Sequence, residues 1–160
     1  MSTEPSFEPE EILRVLNEHE VAYVVIGGFA VAAHGVIRAT ADLDVVVDKS
    51  WQNAARLVGA LERLGACDAT GARTPLTQEV LARRADRRLR TRYGDLHVLH
   101  EVPGVPDYRA LQPPERIVID ELVVPVATLE SLRQMKRAAA RPKDELDLVE
   151  LDALHGADGE

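Results

Sequence analysis

The chain has 160 residues, 46% of them hydrophobic and 29% charged, which suits one soluble globular domain with a genuine core. Its formal net charge of −8 argues against a protein that coats nucleic acid non-specifically. The single cysteine, Cys67, excludes an intrachain disulfide and a cysteine-rich zinc site, and fits a reducing, cytoplasmic setting.

A single domain is expected over residues 8–156, with loose tails at 1–7 and 157–160. The acidic start (Glu4, Glu8, Glu10, Glu11) is unlike the basic opening of a signal peptide. Pro9 suits a first helical turn, and Ile12, Leu13 and Leu16 recur at helical spacing, predicting an amphipathic helix to about Glu18. Tyr23 to Ile26 reads as a buried strand. Gly27-Gly28 is a turn, followed by a short apolar helix from about Phe29, a loop, and a second strand carrying Asp42-Leu43-Asp44. Val21 to Ile37 has no formal charge, but it is short for a membrane span and is broken by glycines, so it reads as core.

Ser50 is placed to cap a helix whose inner face is Ala54, Leu57, Val58, Leu61 and Leu64, with Gly65 as its stop. Residues 66–74 read as loop, with room for a short edge strand. A helix over Thr77 to Ala85 precedes strands at Leu89 to Tyr93 and Asp95 to His100, joined at Gly94. Pro103, Gly104 and Pro106 make a rigid loop before one helical turn at Asp107 to Leu111. Ile117 to Ile119 and Leu122 to Val126 form a hairpin across Asp120-Glu121. Thr128 caps a helix to about Ala140, with Leu129, Leu132 and Met135 inward. Pro142 opens the last helix, whose predicted buried stripe is Leu146, Val149, Leu151 and Leu154. Interleaved strands and helices with short late connections predict a mixed sheet flanked by helices.

The chemistry concentrates between Tyr23 and Asp48. A Gly-Gly turn lets backbone approach a ligand, and a helix starting behind it aims free N–H groups at an anion. Asp42 and Asp44, two apart on a strand, share a face at roughly 6.7 Å spacing. Side-by-side carboxylates repel unless a cation sits between them, and hard oxygen ligands suit Mg²⁺. A phosphate cradle beside such a pair is equipment for phosphoryl or nucleotidyl transfer. An isolated Asp-x-Asp is also ordinary turn chemistry, but Asp44 lies inside LDVVV, where an idle charge is costly.

This stretch resembles the DNA polymerase beta-like nucleotidyltransferase superfamily: an apolar strand, Gly-Gly, a spacer of 13 residues (Phe29 to Ala41), then Asp-x-Asp and an apolar run. The wider pattern GGFAVAAHG…RATADLDVVVD, with Arg38-x-Thr40-x-Asp42-x-Asp44, is most similar to the AbiEii-type branch, which includes toxins of toxin–antitoxin pairs. The resemblance implies an α/β (α+β) nucleotidyltransferase fold and an NTP substrate. It implies two Mg²⁺ ions held by Asp42, Asp44 and a third acid, with Gly27, Gly28, Arg38 and Thr40 around the phosphates. Superfamily members often carry Ser where Gly28 stands.

Asp95, opening an apolar strand in YGDLHVLHEV, is the third acid the resemblance picks, with the acceptor hydroxyl as its target; the other reading is a turn acid after Gly94. His97 shares its face, as an acceptor contact or a rim histidine. Only three of 19 basic residues are Lys, and Lys136 and Lys143 both fall in SLRQMKRAAARPKDELDL. A compact point charge on a triphosphate and a helix-end cation are the two readings of each. Charge is unevenly spread: six Arg lie between Arg83 and Arg92, whereas Asp144 to Glu160 holds seven acids and no Lys or Arg. Arg88, Arg90 and Arg92 would share a strand face leading to Asp95, which favours an RNA end over a protein or small molecule as acceptor. The function expected is transfer of a nucleoside monophosphate from an NTP, within or outside a toxin–antitoxin pair and away from membranes. The rival is a non-catalytic nucleotide-binding regulator or antitoxin that keeps the fold.

Overall fold

The computed structural model of the chain describes residues 6–157, so most of the two expected tails lies outside the described residues. Phe7, at the edge of the first, packs against the core. The helices are α1 (Pro9–Glu18), α2 (Gly27–Ala33), α3 (Trp51–Arg63), α4 (Gln78–Leu81), α5 (Leu129–Ala139) and α6 (Pro142–His155). The strands are β1 (Tyr23–Ile26), β2 (Asp42–Val47), β3 (Cys67–Asp68), β4 (Arg87–Thr91), β5 (Gly94–Leu99), β6 (Glu115–Ile119) and β7 (Leu122–Val126), with a 3₁₀ turn at Tyr108–Leu111. They form one sheet in the order β3-β4-β5-β2-β1-β7-β6. The β2–β5 and β1–β7 pairs are parallel and the other four antiparallel, so the sheet is mixed, as the alternation of elements predicts.

β1 and β2 lie at the centre because their side chains are the most apolar: Val24, Val25, Leu43, Val45 and Val46 are fully buried. Helix α1 packs on α3 and α3 on α4; α2 packs on β1 and β2 and touches α5, which in turn packs on α6. Ser50 caps α3 by accepting from Asn53 N, and Thr128 caps α5 by accepting from Ser131 N. Asn53 is buried because its side chain satisfies loop backbone, accepting from Ala22 N and donating to Ala22 O and Asp48 O.

Several boundaries move. Helix α2 starts at Gly27 rather than Phe29, the helix expected at Thr77 to Ala85 is only Gln78–Leu81, and β4 begins at Arg87 and stops at Thr91. The larger correction is α6. Leu146, Val149 and Leu154 are exposed, and only Leu151 of the expected stripe is buried; Asp144 and Asp147 accompany it inward. Among the described residues no helix is long and apolar enough to cross a membrane.

Candidate active site

Strand pairing assembles the site. Parallel pairing of β2 with β5 sets Asp42 beside Asp95 and Asp44 beside His97. Antiparallel pairing of β4 with β5 sets Arg90 opposite Asp95 and Arg88 opposite His97. Paired residues share a sheet face, so two rows cross three strands: Arg90–Asp95–Asp42 and Arg88–His97–Asp44. The alternate positions Leu43, Leu89 and Leu96 go fully into the core, which fixes this register.

Within the rows, Asp42, Asp44 and His97 converge. His97 Nδ1 stands 2.9 Å from Asp44 Oδ1, and His97 Nε2 is 3.8 Å from Asp42 Oδ2. One ligand atom from each residue lies within 4.8 Å of the other two. Asp44 Oδ1 is buried, with the His97 imidazole close beside it. Burial raises the Asp44 carboxyl above its ordinary value and the Asp42 charge adds to this, while His97 and Lys143 pull it down. A desolvated carboxylate beside a second carboxylate and an imidazole, with ligand atoms this close, is a donor set a divalent cation would complete, so these residues fit a metal. The Asp95 carboxylate takes another partner, with Oδ1 3.7 Å from Arg90 Nε at the exposed edge of the group.

Gly27 stands at the start of α2 with φ +71°, and a Cβ there would collide with Asp44 Oδ2. Only glycine allows the carboxylate to lie over the strand–helix junction. A Cβ at Gly28 would come within 3.0 Å of Thr40 Cγ2 and 3.2 Å of Arg38 Nε. Thr40 and Arg38 thus occupy the space that a Gly28 side chain would need.

Arg38 reaches past this turn to an ion pair with Asp147. Lys136 Nζ lies 3.0 Å from Asp147 Oδ2 and 3.2 Å from Asp144 Oδ1, and Arg141 Nε is 2.7 Å from Asp144 Oδ2. Burial works to raise the Asp144 carboxyl, but the hydrogen bonds from Arg141 and Lys136 outweigh it and hold the group below its ordinary value. Lys136 therefore spends its charge on two carboxylates. Lys143 is exposed and sits close enough to Asp44 to act on its charge.

A cavity of about 430 Å³ opens beside these groups. Gly27, Asp44, His97, Lys136, Asp86 and Asp144 contribute to its lining, Arg87, Arg88 and Arg141 add positive charge, and Leu99, Val102, Pro103, Leu132 and Met135 supply apolar surface. Asp42, Asp95, Arg38, Thr40 and Lys143 do not line it.

No protein-family model matches the sequence, and no curated protein matches it. Among solved structures, the chain is similar to a provisionally assigned nucleotidyltransferase from Thermotoga maritima, with a TM-score of 0.56 and 15% identity over 94% of this chain and 98% of that one. The likeness is one of fold. His97 has one local signal in the sequence, its position two residues beyond Asp95 on the same strand face.

Proposed function

We propose that the protein is a divalent-metal-dependent nucleotidyltransferase that moves a nucleoside monophosphate from an NTP to an acceptor. The observation that carries this reading is the convergence of Asp42, Asp44 and His97, with Asp44 against Gly27 and both Asp44 and His97 lining a cavity of mixed polar and apolar surface. The fold shared with the Thermotoga maritima protein agrees with it.

Asp42 and Asp44 would hold the metal, with His97 or Asp95 as the next donor. A divalent ion at such a site neutralises phosphate charge and aligns the reacting oxygens. The first-turn N–H groups of α2 carry no side-chain cap and remain for a phosphate oxygen beside Gly27 and Gly28. Lys143 supplies an uncommitted point charge, while Lys136 holds Asp144 and Asp147 and so keeps α6 against α5. The apolar wall from Leu99 to Met135 suits a base or sugar. Asp95 accepts the proton of the acceptor hydroxyl at its carboxylate, the acceptor oxygen bonds to the α-phosphorus, and the α–β bridging bond breaks to release pyrophosphate.

Arg88 and Arg90 are exposed beside His97 and Asp95, which supports an RNA end as the acceptor. The AbiEii-like motif makes a toxin–antitoxin pair the natural setting. The test is incubation with each radiolabelled NTP, a divalent metal and total cellular RNA or lysate. Label should enter RNA, and enter less when Asp42→Asn and Asp44→Asn are combined. Nucleotide binding with neither label transfer nor pyrophosphate release would instead identify a nucleotide-binding regulator.

A further inference from the structure

We infer that His97 is the third ligand of the metal site and makes it select a first-row transition ion such as Mn²⁺ over Mg²⁺. The inference rests on the metal-dependent reading above and names the ion which that reading leaves open.

Two aspartates on β2 would by themselves offer only carboxylate oxygens, the donors that suit Mg²⁺. A third carboxylate is present on β5, but register sets Asp95 beside Asp42 at the exposed edge, and its Oδ1 faces Arg90 Nε at 3.7 Å. The β5 residue beside the deeper aspartate, Asp44, is His97. Its two ring nitrogens face the two carboxylates, at 2.9 Å from Asp44 Oδ1 and 3.8 Å from Asp42 Oδ2. A mixed imidazole and carboxylate set favours transition ions, because nitrogen donors bind them far better than they bind Mg²⁺.

The competing role for His97 is a built-in counter-ion: a protonated imidazole neutralising two acids with no metal. The 2.9 Å approach of His97 Nδ1 to Asp44 Oδ1 serves either role, and the second approach, Nε2 3.8 Å from Asp42 Oδ2, is too long for a hydrogen bond. The two roles predict opposite effects of removing the ring. A ligand lost weakens metal binding, whereas a counter-ion lost leaves the carboxylates freer and tightens it.

The experiment measures Mn²⁺ binding to the full chain without nucleotide, from the electron paramagnetic resonance signal of the free ion, with Mg²⁺ as competitor. Wild type should prefer Mn²⁺. His97→Ala should lose at least the roughly 10–100-fold in Mn²⁺ affinity that follows removal of a mere supporting partner of a metal ligand. His97→Asp should bring the Mn²⁺ to Mg²⁺ preference towards one. Unchanged or tighter Mn²⁺ binding by His97→Ala overturns the inference, as does an unchanged preference in His97→Asp. Pulsed measurements on the wild-type Mn²⁺ complex need no variant: nitrogen coupling from an imidazole is expected, and its absence overturns the assignment. Mn²⁺ selectivity with neither label transfer nor pyrophosphate release would remove the transferase reading and keep this one. Label transfer with a Mg²⁺-preferring site would do the reverse.

Discussion

Lys136 and Asp147 form a buried ion pair, with Nζ 3.0 Å from Oδ2 and both side chains less than a tenth exposed. The pair is one link in a chain from Arg38 through Asp147, Lys136 and Asp144 to Arg141. It ties the loop before β2, helix α5 and the start of α6 together behind the aspartates of β2. Buried ions like these are held by one another, so each is costly to remove singly.

Lys136→Met keeps the apolar stem and deletes the charge. It should destabilise the fold by about 3–5 kcal/mol, towards the lower end because Asp144 keeps Arg141 and Asp147 keeps Arg38. Adding Asp147→Asn should restore part of the loss, read as a non-additive urea midpoint in a double-mutant cycle. A change in nucleotide affinity with unaltered stability would return Lys136 to the substrate.

The two glycines of the turn should behave differently. Gly27→Ala imposes a side chain on a left-handed residue, costing roughly 1–2 kcal/mol, and drives its Cβ into Asp44, so metal affinity should fall as well. Gly28→Ala has ordinary backbone angles, and the helix gains up to about 1 kcal/mol from losing a glycine. Its cost comes from Thr40 Cγ2 at 3.0 Å. Thr40→Ser deletes that methyl and should rescue Gly28→Ala while leaving Gly27→Ala unimproved, as judged by melting temperature and Mn²⁺ binding.

The strand–Gly-Gly–helix–strand unit and the mixed sheet were legible because apolar runs, glycines and caps are local signals. Helix α6 was not. Its apolar residues Leu146, Val149 and Leu154 face outward, and Asp144 and Asp147 face inward, because their partners Lys136, Arg38 and Arg141 await them. Periodicity ranks residues by hydropathy and cannot see a countercharge from another element. His97 was obscured in the same way: its place beside Asp44 depends on the β2–β5 register, a non-local pairing.

At the far end of β5, His100 is buried, and its Nδ1 has no hydrogen-bond partner. Burial holds its pKa below the ordinary 6.5; the Asp86 carboxylate opposes this, and Arg84 and Arg87 reinforce it. A depressed folded-state pKa means the unfolded chain binds the proton first. Stability from neutral His100 is therefore complete above pH 6.5 and is lost as pH falls towards the folded value. Urea midpoints should decline between about pH 7 and pH 5, and His100→Gln should flatten that decline. An identical slope in the variant would assign the acid sensitivity to other groups.

Arg88 and Arg90 point from the same face of β4, opposite His97 and Asp95, and Arg88 lines the cavity. Arg92 falls beyond the strand, its guanidinium beside Gly65, so the basic stripe that borders the site is two residues long. On a chain of net charge −8, a short cationic edge matters because the rest of the surface repels a polyanion. Arg88→Glu with Arg90→Glu should lower RNA labelling by more than it lowers metal-dependent NTP binding, because Arg88 also lines the cavity whereas Arg90 does not. RNA labelling should fall sharply in this variant. In the wild type the rate should drop steeply with added salt, as expected when phosphate contacts release counterions. Labelling of a protein target that ignores both salt and the two substitutions would rule out an RNA acceptor.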